Sequence, residues 1–275
     1  MSGLLGHEVA SWGGLLVALG IVLVAQLAYM TVWFTLSTVR RRTDLVDQAW
    51  GPAFVFAGVV MGVLAGFTLP YVIALALVTV WGGRLFLHIF LRHRKNPEDP
   101  RYIEIEARGP GTLLSRYVTI YLLQGVLSVA VCMPVIVYGY GQGVSGFGWT
   151  WAVAFGATVW LVGFLFEAVG DHQLKMFINN PANAGQIMSS GLWRYTRHPN
   201  YFGEVTMWWG LWLLAYNPEN PDLWAASVVG PLLITYLIVF VSGIPPIERA
   251  WADREDFRRY KERTSALIPW FPKKE

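Results

Sequence analysis

Seven stretches of this chain are apolar and long enough, or nearly so, to cross a bilayer, and its cations avoid every second gap between them. The stretches are residues 14–36, 49–67, 70–91, 117–139, 149–170, 201–216 and 223–243. A helix needs roughly 20 apolar residues to cross ~30 Å of hydrocarbon. The second and sixth stretches are short and read as tilted or partly interfacial. Arg40, Arg41 and Arg42 follow the first stretch, and six cations from Arg92 to Arg116 lie between the third and fourth. Lys175, Arg194 and Arg197 lie between the fifth and sixth, and eight more follow the seventh. The alternate gaps, 68–69, 140–148 and 217–222, hold none of the 21 lysines and arginines; the remaining one, Arg84, is inside the third stretch. Cytoplasmic loops concentrate Lys and Arg. The expected fold is therefore all-α: a polytopic membrane protein with seven transmembrane helices, its N-terminus outside and its C-terminus cytoplasmic. An even number of spans would put the first loop and the tail on opposite sides and break the pattern.

Composition agrees. Of the 275 residues 55% are hydrophobic and only 14% charged, with a mean hydropathy of +0.43. Soluble domains carry about 25% charged residues. No basic tract interleaved with aromatics marks a nucleic-acid module. Cys132 is the one cysteine, which excludes an intrachain disulfide and a cysteine zinc site. The scattered histidines read as lone polar residues, so no metal is expected. No cleavable signal is expected, since MSGLLGHEVAS lacks a basic leading region. The chain reads as one membrane domain over 1–275, with 244–275 an interfacial tail. That tail is helix-forming to about Arg263, with Ile247, Ala250, Trp251 and Phe257 near one face.

The polar clusters all sit at the cation-rich ends of the spans. They are DLVDQAWG at 44–51, RLFLHIFLRHRKNPEDPRY at 84–102, EAVGDHQLK at 167–175, RYTRHPNYFGE at 194–204 and IERAW at 247–251. An ionisable residue within a span faces the bundle interior or a wet cavity; Arg84, Glu167 and Glu204 qualify, with His88 and Asp171 at the margin. Arg84, His88 and Arg92 share a helix face, and so do Asp171 and Lys175. Interhelical ion pairs and snorkelling arginines explain any one of these residues as well as a binding site does. For the whole set a common cavity is the more economical reading. Arginine forks suit phosphate oxygens, and Trp193, Tyr195 and Tyr201 stand beside them, which fits a nucleotide-like cofactor. No GxGxxG follows a strand, and no HExxH, CxxC, GxSxG or P-loop is present.

GLWRYTRHPNYFGE, followed after a further span by a charged tail ending in TSALIPWFP, resembles the membrane superfamily of steroid 5α-reductases, sterol reductases and isoprenylcysteine methyltransferases. VDQAWG, WGGRL and EDPRY resemble its steroid-5α-reductase-like DUF1295 branch. The resemblance runs from about residue 40 to the end and is strongest from Asp171 onward. It implies NADPH bound from the cytoplasmic side. Asp171, Asn200 and Glu204 match the aspartate, asparagine and glutamate that hold the cofactor, and Tyr195 a nearby tyrosine. Arg84 stands where the family has an arginine in its third span, and Arg197 and His198 match the RHP of related reductases and methyltransferases. The reading extends the cofactor set to Arg92, Arg101, Lys175 and Tyr201. Two features depart from the steroid enzymes. Their adjacent Gln-Glu at the second span is replaced by Asp47-Gln48-Ala49-Trp50, and their ketone-gripping tyrosine falls near Trp81.

The resulting expectation is an NADPH-dependent reductase of an activated carbon–carbon double bond in a lipid-like substrate, with Asp47 and Gln48 polarising the carbonyl. Its setting would be a bacterial inner membrane, or the endoplasmic reticulum in a eukaryote, with membrane lipids around it. Two alternatives stand beside it: an S-adenosylmethionine-dependent methyltransferase, and a non-catalytic lipid- or nucleotide-binding protein. Methyltransferases of the group carry paired glutamates where this chain has Glu248-Arg249.

Overall fold

The computed structural model describes residues 10–94, 97–98, 102, 112–145 and 151–273. Among these there is no strand, only an isolated parallel bridge between Thr196 and Ser265. The chain divides into two compact units, 1–153 with 215–230, and 154–214 with 231–275.

The first unit begins with α1, Trp12–Arg40, whose 29 residues rise about 44 Å. Ser11 caps it by accepting from the Gly14 N–H, and it stops where Arg41 turns left-handed at φ 52°. Leu16, Val17, Ile21, Val24, Val32 and Val39 point outward from it, a surface suited to acyl chains rather than water. Helix α2, Leu45–Ala65, and helix α3, Leu69–His93, form a hairpin turned at Gly66, whose φ is 98°. The two backbones meet at a pair of glycines. A Cβ on Gly51 would stand 2.5 Å from the Gly82 carbonyl, and one on Gly82 would stand 2.6 Å from that of Gly51. Trp81 is buried against Phe54 at this crossing, a packing residue. Met30, Val46, Ala49, Ala53, Ile120 and Tyr121 form the unit's core at its arginine-rich end.

Residues 117–139 do not form one span. Helix α4, Leu113–Val131, includes a π-turn at Tyr117–Leu122, and α5, Met133–Ser145, follows a break at Cys132. Pro134 has no N–H to continue the ladder and so forces the break.

In the second unit α6, Trp151–Ile178, runs well past residue 170, where the apolar pattern ends. A loop containing a 3-10 turn at Gly191–Arg194 leads to α7, Pro199–Leu214. These two helices lie backbone against backbone along glycines seven apart, Gly156, Gly163 and Gly170 facing Gly210, Gly203 and Pro199. A Cβ on Gly163 would fall 2.6 Å from the Gly203 carbonyl, and one on Gly203 would fall 2.5 Å from that of Gly163.

The apolar segment Pro221–Ala250 includes α8, Pro221–Ala226, and α9, Val229–Tyr236, prolonged by a π-turn at Leu237–Val241. It ends in α10, Ile244–Ala250, and a final helix α11, Glu255–Arg263, follows. The tail is therefore two short helices rather than one. The break at 251–254 separates Ile247 and Trp251, which are exposed, from Phe257, which is buried.

Six helical segments are long and apolar enough to cross a membrane: Trp12–Arg40, Leu45–Ala65, Leu69–His93, Leu113–Val131, Trp151–Ile178 and Pro221–Ala250. The chain is a multi-pass membrane protein. The sixth expected span, 201–216, corresponds to α7, whose 16 residues rise about 24 Å, short of the hydrocarbon thickness.

Candidate functional site

The polar end of the second unit is built on the glycine contact. Gly170, at its top, lies against Pro199 and the Asn200 N–H, so the residue after it, Asp171, stands beside Asn200. Asn200 Nδ2 donates to Asp171 Oδ1 at 3.2 Å. The other amide atom, Asn200 Oδ1, is buried and accepts no hydrogen bond. On α6, Glu167, Asp171 and Lys175 recur every four residues and share a face; Glu167 is buried and Lys175 exposed. On α7, Glu204 lies one turn beyond Asn200, and Gly203 between them packs on the backbone of Glu167.

The loop before α7 is pinned at several points. Trp193 donates through Nε1 to the Gly170 carbonyl at 3.0 Å, and Gln173 Oε1 accepts from the Leu192 N–H at 2.9 Å. Trp193 is thus a buried anchor and not an exposed stacking surface. Tyr260 donates to the Trp193 carbonyl, and burial pushes its phenol well above the ordinary tyrosine range, so it remains a donor at any working pH. Tyr195 is 37% exposed, and the ring of Tyr201 stacks on that of His198 at 5.5 Å.

Arg197 and His198 turn inward onto Glu248. Arg197 reaches Glu248 Oε1 through Nε at 2.8 Å and Nη2 at 2.7 Å, and its Nη1 donates to the carbonyls of Lys261 and Thr264. His198 Nε2 lies 3.3 Å from the same oxygen, and Lys261 Nζ lies 2.8 Å from Oε2. Arg197, His198 and Glu248 are each under one-tenth exposed. A buried carboxylate is tolerable only with such partners. Glu248 is the residue that sequence reasoning missed. Its signal was an acid opening the tail, in the cluster IERAW at 247–251, that no sequence spacing links to Arg197 and His198.

The first unit has its own polar end. The Asp44 carboxylate is wholly buried and held in a fork by Arg42, with Nε 3.0 Å from one oxygen and Nη2 2.7 Å from the other. Arg42 Nη1 donates to the His93 carbonyl at 3.1 Å. Glu98 Oε1 accepts from the Thr43 N–H at 2.5 Å, just before α2 begins. Asp47 accepts from the Tyr102 hydroxyl at 2.5 Å, and Gln48 Nε2 lies 3.0 Å from His93 Nδ1. Both proposed polarising residues are therefore held in fixed orientations. Arg84 is half-buried and Arg92 exposed, two turns apart on α3. Arg101 lies outside the described residues. Among the described residues no group of three His, Cys, Asp or Glu side chains is placed to hold a metal.

The profile of the family described as "Protein of unknown function (DUF1295)" matches residues 33–264. The 3-oxo-5-alpha-steroid 4-dehydrogenase 1 of Bos taurus is 29% identical over 116 residues, which is 42% of this chain and 40% of the bovine protein. The protein of the same name from Homo sapiens matches at the same identity and coverage. Methanethiol S-methyltransferase 1 of Bradyrhizobium diazoefficiens is 31% identical over 108 residues, 38% of this chain and 34% of that enzyme. The aligned stretch thus spans well under half the length of each of these relatives. No solved structure matches the chain.

Proposed function

The chain belongs to the DUF1295 family, and from that premise we propose that it is an NADPH-dependent reductase of an activated carbon–carbon double bond in a lipid-like substrate. The likeness to enzymes named 3-oxo-5-alpha-steroid 4-dehydrogenase supports the reaction class. The observation that carries the cofactor reading is Asn200 Oδ1, a buried acceptor with no donor. Such groups are rare in folded proteins and ask for a ligand or water. A carboxamide N–H, as the nicotinamide carries, is a donor of the right kind.

Bound there, NADPH supplies a hydride for the β-carbon of an enone. The chain's own residues do the rest. Asp171 fixes the Asn200 amide so that its oxygen faces the ligand, Glu204 extends the same face of α7, and Lys175 and Tyr195 offer an exposed cation and ring to the nucleotide. Arg197 and His198, turned onto Glu248, hold the loop in place. Asp47, with Gln48, is assigned the polarisation of the substrate carbonyl. The arginine-rich ends are assigned to the cytoplasm and the N-terminus to the outside, with α7 counted as a seventh, tilted or locally thinned crossing.

Thermal denaturation in detergent with NADPH, NADH or S-adenosylmethionine tests this. NADPH at a hundred times its Kd should add ~2.7 kcal/mol of stability. Asn200→Ala should weaken NADPH binding roughly 10–100-fold with little change in unliganded stability, as loss of one buried hydrogen bond implies. A second reading, methyl transfer from S-adenosylmethionine, is favoured by the Bradyrhizobium match. Stabilisation by S-adenosylmethionine alone would establish it and overturn the reductase.

A further inference from the structure

The last stretch of the chain is fixed in place yet presents its largest apolar side chains outward. After α11 the backbone runs beside the loop that precedes α7. The Arg197 N–H donates to the Ser265 carbonyl and the Trp270 N–H to the Tyr195 carbonyl, both at 2.9 Å. Thr196 Oγ1 donates to the carbonyls of Ala266 and Leu267, and Ser265 Oγ reaches the Tyr195 carbonyl at 3.1 Å. The Lys273 N–H closes back on the Arg263 carbonyl at 3.0 Å. A segment held this way cannot fold its side chains under itself. Phe271 is 78% exposed, the most of any large apolar side chain among the described residues, with Trp270 at 71% and Ile268 at 67%. The Tyr195 ring stands edge-on to Phe271 at 6.1 Å and supports it from the protein side.

We propose that Ile268, Trp270 and Phe271 form a rigid foot inserted into the headgroup–acyl boundary of the bilayer that holds the rest of the chain. Three features favour lipid over a protein partner. Trp and other amphipathic rings favour that boundary, where the apolar body is buried and the N–H stays wet. Lys273 is exposed two residues after Phe271, a cation placed to complement lipid phosphates. The foot is also covalently close to the membrane, since only α10 and α11 separate it from the apolar run that ends near Gly243. The foot, not the charged helix α11, is the part of the tail that enters lipid. This inference does not depend on the reaction catalysed.

The lone cysteine, Cys132, is wholly buried, so a Cys132→Ala background accepts single reporters. Trp270→Cys and Phe271→Cys would each carry an environment-sensitive fluorophore, with Glu262→Cys on α11 as the aqueous control. The full-length protein is placed in nanodiscs of phosphatidylcholine and phosphatidylglycerol containing lipids nitroxide-labelled near the headgroup. Both foot positions should be quenched by the labelled lipid roughly threefold more than by a water-soluble nickel chelate, and Glu262 should show the reverse, given the interfacial depth of such anchors. Quenching of the foot by the chelate, as at Glu262, would overturn the proposal. So would a blue-shifted foot shielded from both quenchers, which would show that protein, another copy or a partner, covers it. An unchanged melting temperature of the labelled variants keeps either result interpretable.

Discussion

Each unit has a buried carboxylate gripped by an arginine at its arginine-rich end, Asp44 in one and Glu248 in the other, but the two arginines come from different distances along the chain. Asp44 takes its fork from Arg42, two residues before it, with His93 Nε2 further off at 3.7 Å from one oxygen. Glu248 takes Arg197 and His198 from about 50 residues away and Lys261 from the following helix. The first arrangement shapes a corner between α1 and α2. The second joins the loop before α7, α10, α11 and, through the Thr264 carbonyl that Arg197 also engages, the start of the tail. A neighbouring arginine organises a turn, whereas an anion shared by distant cations ties several segments together at once.

The most severe way to disturb both ends is to part the backbones beneath them. Gly203→Leu and Gly82→Leu should each destabilise by about 4 kcal/mol or more, because the clash is with a carbonyl that no rotamer can avoid. Loss of folded yield, or a collapsed melting transition in detergent, would show it. Next comes the contrast between the carboxylates. Glu248→Ala strands the buried Arg197 guanidinium and should cost about 3–5 kcal/mol. Asp44→Ala should cost less, about 1–3 kcal/mol, since the Arg42 side chain is already 28% exposed and can turn to water. Equal losses would remove the distinction between a local and a joining anion. Adding Arg197→Ala to Glu248→Ala should recover part of the loss, which a double-mutant cycle measures. The smallest effect belongs to Lys261→Ala. Its side chain is 53% exposed, and its ion pair should contribute under about 1 kcal/mol, fading with added salt.

Much of this was legible in the sequence. The apolar runs and the gaps without cations reveal helices and their polar ends, because the hydrocarbon thickness fixes length and composition together. The break at Cys132 is not what the apolar run over 117–139 leads one to expect, although Pro134 supplies its physical cause. The glycines seven apart on α6 and α7 were visible as spacing, but glycine is common enough that only the partner helix gives the spacing meaning. Glu248 was the hardest to see. Arg197 reads as a phosphate ligand when its neighbours in sequence are considered, since the acid that engages it lies a whole span away and no periodicity links them. Asn200 and Asp171 were singled out by resemblance. The hydrogen bond between them, and the amide oxygen it leaves without a donor, follow from the glycine contact below.

That contact has a consequence for affinity. Where two helices meet main chain to main chain, few rotamers lie at the contact to be rearranged when a guest arrives. The wall carrying Asn200 and Asp171 is finished before any encounter. Whatever settles there meets a template already cast, and little of its grip is lost to reshaping the host.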